Sequence, residues 1–66
     1  MKAVVNGEEW ELPEGATVAD ILQRLNAPET GIAVARQGEV IPKTSWQATP
    51  IQNGDEIEVL TAAQGG

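Results

Sequence analysis

The sequence predicts an α+β fold in which a mixed sheet of four to five strands carries one helix packed across one face. Three observations carry this. Short β-branched or alternating segments recur, each bounded by a Gly- or Pro-containing turn; one stretch has apolar residues at helical spacing; and the order runs hairpin, helix, two short strands, final strand.

The first strand, Lys2 to Asn6, runs into Asn6-Gly7, the dipeptide best suited to a type I′ hairpin because both central residues need positive φ. Glu8 to Leu12 then alternates charged with large apolar residues, so Trp10 and Leu12 share the core side until Pro13-Glu14-Gly15 ends the strand. Thr17 is placed as an N-cap with Asp20 three residues on, and Val18, Ile21, Leu22 and Leu25 fall at i, i+3, i+4 and i+7. The helix is expected to end near Asn26, since Pro28 forbids its continuation. Gly31 opens a third strand, Ile32 to Arg36. Gln37-Gly38 turns into a short fourth strand, Glu39 to Ile41, closed by Pro42. Trp46, in the connection from Lys43 to Asn53, is expected to plug one end of the core. Asn53-Gly54-Asp55 turns the chain into the last strand, Glu56 to Leu60. This order is the β-grasp arrangement, with the last strand expected beside the first. Residues 1–61 form the domain and residues 62–66 a flexible tail of small residues.

A helix covering one face leaves the other polar or available for contact. Met1, Ala3, Val5, Trp10, Leu12, Ala33, Ala35, Ile57 and Val59 are expected on the helix side. For the third strand the reason is Arg36, which shares parity with Ile32 and Val34 and is costly in a core if unpaired. Val4, Ile32, Val34 and Leu60 then lie on the open face, with Arg36, Glu56 and Glu58 around them, as a candidate docking patch. Against a partner-binding surface made of Val4, Ile32, Val34, Arg36, Glu58 and Leu60 stands the reading that these are single exposed apolar residues of the ordinary kind, or that the third strand's parity is inverted.

Composition narrows the function. A chain of 66 residues buries only ~60% of its unfolded surface, too little for a deep private active site. Cysteine, histidine and tyrosine are absent, which removes the thiol nucleophile, thiolate metal sites and most acid–base chemistry near neutral pH. Phosphate-loop, dinucleotide and nucleophile-elbow motifs are absent as well. Asp55, Glu56 and Glu58 lack calcium-loop spacing and read as a solvated strand edge, so no metal is expected. Ten acids against four bases, a net charge of −6, disfavour nucleic acid and suit a partner with a basic docking surface. No apolar run approaches the ~18 residues of a membrane span and the start lacks a signal-peptide core, so a cytoplasmic protein is expected.

What remains is the end of the chain. Gly65-Gly66 follows a strong strand and a stretch of small residues. Without a Cβ, glycine threads a narrow enzyme channel and leaves its carbonyl unhindered. A free carboxylate has no good leaving group, so it needs activation, typically as a mixed anhydride with AMP, at an ATP site belonging to a partner. The activated Gly66 carbonyl can then take sulfur or be attacked by an amine.

Ile32-Ala33-Val34-Ala35, Gly38-Glu39-Val40-Ile41-Pro42-Lys43 followed by Trp46, Asn53-Gly54-Asp55-Glu56-Ile57 and terminal Gly65-Gly66 resemble the ubiquitin-like sulfur carrier family of thiamine biosynthesis, ThiS, over nearly the whole chain. The resemblance implies that an E1-like adenylyltransferase uses ATP to adenylate Gly66, with Gly65 as the slender neck. It further implies that a sulfur donor such as a cysteine desulfurase supplies the sulfur of a thiocarboxylate, and that thiazole synthase receives it. The chain would then be a carrier with no cofactor of its own, not an enzyme. Gln37, Lys43 and Gln64 depart from the family's commoner choices. The first two touch a turn and a surface cation, while Gln64 bears on which activating enzyme fits. Three alternatives stand beside this reading: the sulfur-carrying small subunit of molybdopterin synthase, a ubiquitin-like protein modifier, and a binding module with no carrier role.

Overall fold

The computed structural model of the chain describes residues 1–28 and 30–61. Along it run β1 (Lys2–Val5), β2 (Glu8–Glu11), α1 (Val18–Arg24), β3 (Ile32–Arg36), β4 (Glu39–Ile41), a 3₁₀ helix (Lys43–Ala48) and β5 (Glu56–Thr61). The strands form one five-stranded sheet in the order β2-β1-β5-β3-β4. Only β1 and β5 are parallel; the other neighbours are antiparallel. With one helix on one face, this is the β-grasp arrangement read from the sequence.

Two hairpins share one turn geometry. Asn6 and Gly7 have φ of 51° and 83°, and Gln37 and Gly38 have 50° and 83°. Positive φ at both central residues gives the primed twist that lets two strands pair closely. The helix begins with a capping box: Asp20 N–H donates to Thr17 Oγ1 at 3.4 Å, and Thr17 N–H donates to Asp20 Oδ2 at 2.9 Å. Two helix-end donors are satisfied without water. At the other end Leu25 caps the helix and Asn26 takes φ 56°, which stops it where expected.

The core lies between α1 and the sheet, with Ile21, Ile57, Val5, Val18 and Val34 fully buried. Trp46 closes one end: its ring is buried, and its Nε1–H donates to Ile41 O at 2.9 Å, so the polar edge is satisfied while the ring packs. Leu25, at the last position of the helical stripe, is 36% exposed.

In β3 the faces are reversed from the expectation. Val34 is fully buried and Ile32 packs against the core, whereas Ala33 is exposed. Register shows the same thing: Val34 lies opposite Val59, but Ala33 lies opposite Leu60 and Ala35 opposite Glu58, and opposite residues share a face. Ile32, Val34 and Arg36 therefore leave the open face, and Ala33 and Ala35 join it. The physical reason is Arg36, which is paired. Its Nε lies 3.3 Å from Asp55 Oδ2, and its Nη2 donates to Pro50 O at 2.9 Å. A paired guanidinium at the margin of the core carries little of the cost an orphan would.

A stability test follows. Val34→Ala is expected to lose about 2 kcal/mol in urea unfolding, from lost apolar burial and the cavity left behind. Ala33→Ser is expected to change stability by under ~0.5 kcal/mol. Equal losses at the two positions would return Ala33 to the core.

Candidate functional site

β5 sits at the centre of the sheet and leads into the residues that carry the candidate chemistry. Gly65 and Gly66 lie outside the described residues, as does the rest of the expected tail, 62–66. The site is therefore built from what fixes β5 and from the face it offers.

The start of β5 is held by Asp55, which is 7% exposed. Its Oδ2 accepts the N–H of Gln52 at 2.8 Å and faces Arg36 Nε, close enough for an ion pair but not aligned as a hydrogen bond. Charge on both sides keeps a carboxylate tolerable at this depth. Side-chain amides from the two hairpin turns complete the hold. Asn6 Oδ1 accepts Val59 N–H at 2.8 Å, and Gln37 Oε1 accepts Glu56 N–H. A third amide, Asn53 Oδ1, accepts Lys2 N–H at 2.8 Å at the start of β1. The path of β5 as far as Thr61 is thus set by the sheet and by side chains from its turns.

Register defines the open face. Val4 of β1, Ala33 and Ala35 of β3, Val40 of β4 and Leu60 of β5 share it with Glu9, Glu56 and Glu58. Leu60 and Val40 are 58% and 71% exposed and stand on either side of the two alanines. Of the two alanines, Ala33 is exposed and Ala35 is buried, so the face offers small and large apolar side chains side by side with carboxylates. Of the positions named from sequence, Val4, Glu58 and Leu60 are on this face; Ile32, Val34 and Arg36 are on the other. Ala33, Ala35 and Val40 were missed. The signal for them was side-chain size: on a strand reading Ile-Ala-Val-Ala-Arg, the β-branched residues fill a core better than the alanines do.

On the helix side, a shallow cleft of about 730 Å³ lies between α1 and the 3₁₀ helix, lined by Leu22, Ala27, Trp46 and Lys43 among others. Its lining, among the described residues, holds no carboxylate or hydroxyl pair arranged for acid–base work. Among the described residues, no group of three or more acids is arranged to hold a metal, and no helix is long and apolar enough to cross a membrane.

The ThiS family matches residues 2–66. Over its full 66 residues the chain is 27% identical to the sulfur carrier protein ThiS of Escherichia coli, and the match covers all of that protein. It is 35% identical to part of a thiazole synthase of Paramagnetospirillum magneticum, of whose length it spans 20%. Among solved structures it is similar to the crystal structure of a thiamine biosynthesis protein (ThiS) from Geobacter metallireducens, at a TM-score of 0.82 and 29% identity with both chains fully covered.

Two substitutions separate the part of this region that holds the fold from the part that is free for contact. Asp55→Ala is expected to cost about 2 kcal/mol, because it strips Arg36 Nε and Gln52 N–H of a charged partner. Leu60→Ser is expected to stay within ~0.5 kcal/mol of the parent in the same denaturant titration.

Proposed function

From the premise that this chain belongs to the ThiS family, we propose that it carries sulfur for thiamine biosynthesis on the carboxyl group of Gly66. The match over residues 2–66, which takes in both final glycines, is the observation that carries this reading.

The chemistry is divided between carrier and enzymes. A Gly66 carboxylate oxygen attacks the α-phosphorus of ATP held by an E1-like adenylyltransferase, and pyrophosphate leaves. The mixed anhydride now has AMP as a leaving group. A persulfide on a donor such as a cysteine desulfurase attacks the carbonyl carbon and AMP departs; a thiol of the partner enzymes then cleaves the resulting acyl disulfide, which leaves the thiocarboxylate on Gly66 and a disulfide on the partners. Thiazole synthase then takes the sulfur. A segment similar to this chain within a thiazole synthase supports that enzyme as the receiver. The carrier contributes no acid, base or metal to any step. Its contribution is to bring a slender, unhindered carboxyl group to sites that belong to others.

The open face is the docking surface in this reading. Val4, Ala33, Val40 and Leu60 supply apolar contact, while Glu56 and Glu58 address basic residues on the partner. Apolar centre and charged rim is the usual plan of an interface of this size, and the net charge of −6 adds long-range attraction to a basic partner.

Incubation with the adenylating enzyme of the same organism, ATP and a sulfur donor is expected to raise the intact mass by the exchange of one oxygen for one sulfur. An unchanged mass with an enzyme proven active on another carrier rejects the reading. One residue appended after Gly66 is expected to abolish loading and leave the melting temperature unchanged. Glu58→Lys together with Leu60→Ser is expected to raise KM for adenylation about ten-fold with little change in kcat, as loss of contacts made equally before and during the reaction requires.

A further inference from the structure

β5 is six residues long, but β1 flanks only its first half. The two strands pair at Val4 with Glu56 and at Val5 with Ile57, and the last β1-side backbone bond runs from Asn6 N–H to Ile57 O at 2.9 Å. The chain then turns away through Asn6-Gly7 into β2. Asn6 Oδ1 takes the next donor, Val59 N–H.

Strand geometry fixes where the remaining groups point. Backbone groups of Asp55, Ile57 and Val59 bond toward β1 and its turn, whereas Glu56 O accepts from Gln37 N–H on the β3 side. Continuing the alternation, Val59 C=O and Thr61 N–H point toward the side where β1 has ended. Neither has a hydrogen-bond partner among the described residues. On the opposite side, β3 stays paired to the end, Ile32 with Thr61. The last half of β5 is thus an open strand edge at the centre of the sheet, above the Asn6-Gly7 turn. The free acceptor and donor flank Leu60 as those of Asp55 and Ile57 flank Glu56, where the partner strand runs parallel.

We propose that this notch receives an extended segment of the adenylating enzyme, which adds as a strand parallel to β5 with one residue opposite Leu60. That residue donates to Val59 C=O and accepts from Thr61 N–H. The inference rests on the reading of Gly66 as the acceptor. Five residues at ~3.3 Å each span only about 16 Å, so an enzyme that engages Gly66 has its surface beside Thr61. Strand addition satisfies the open edge, fixes the path of the neighbouring chain and reads no side chain. Thr61 is then a positioning residue acting through its backbone.

Amide exchange of the full chain by NMR tests this directly. In the free protein, Thr61 N–H is expected to exchange fast while Leu60 N–H, bonded to β3, is protected. In the saturated complex with the adenylating enzyme, without ATP, exchange at Thr61 is expected to slow by at least about ten-fold. Thr61→Pro, which removes a donor the sheet does not use, is expected to raise KM for adenylation about ten-fold, the loss of one hydrogen bond, at unchanged melting temperature. Thr61→Ala is expected to leave KM within about two-fold. Fast exchange at Thr61 in the complex, or wild-type KM for Thr61→Pro, overturns the proposal while the carrier reading stands. Protection that rises with chain concentration in the absence of enzyme assigns the edge to a second copy and overturns it too. Failure of the unmodified chain to be adenylated by an active enzyme removes the carrier reading itself.

Discussion

The parallel pairing of β1 with β5 is the constraint on which the rest depends. It joins residues about fifty positions apart, spans only two residue pairs and places the last strand in the middle of the sheet. Closing so long a loop costs entropy that local hydrogen bonds do not return. The offset comes from burial: Val5 and Ile57, adjacent in the pair, are among the most buried side chains and belong to one core cluster with Ile21 of the helix. The side-chain amides of Asn6, Asn53 and Gln37 extend the bonding past the point where backbone partners run out.

From that constraint follows a division between the two sides of the sheet. The helix side holds nearly all of the core, and the open side is left to a few apolar residues and carboxylates. Among the described residues, Asp55 is the buried charge, and set against Arg36 it anchors the turn into β5. Such a scaffold is chemically quiet. In the carrier reading this is an advantage, because nothing on the domain competes with the activating enzyme for a reactive acyl group.

Most of the fold was legible in the sequence. Asn6-Gly7 and Gln37-Gly38 specified their turns because φ > 0 is open to few residues; Thr17 and Asp20 specified the helix start because their side chains satisfy its free donors; Trp46 was legible as a plug by size. The face of β3 was not. A five-residue strand with small and large residues alternating fits either way, and the choice depended on whether Arg36 had a partner. That partner, Asp55, is nineteen positions away in sequence and becomes its neighbour only through the β3–β5 register, which no local pattern encodes. The same non-locality hid Val40, whose exposure follows from the pairing of β4 with β3. Gly66, the proposed acceptor, was singled out on chemical grounds alone and lies outside the described residues.

The central place of the final strand also sets an order of events during synthesis. The first two strands emerge early as a hairpin, which is marginal alone, and the sheet has no middle until residues 56–61 arrive. Assembly of the domain therefore waits for residues 56–61. The strand that leads to the terminal glycines is the same one whose arrival closes the core, so the ordering of that strand and the completion of the fold are one event.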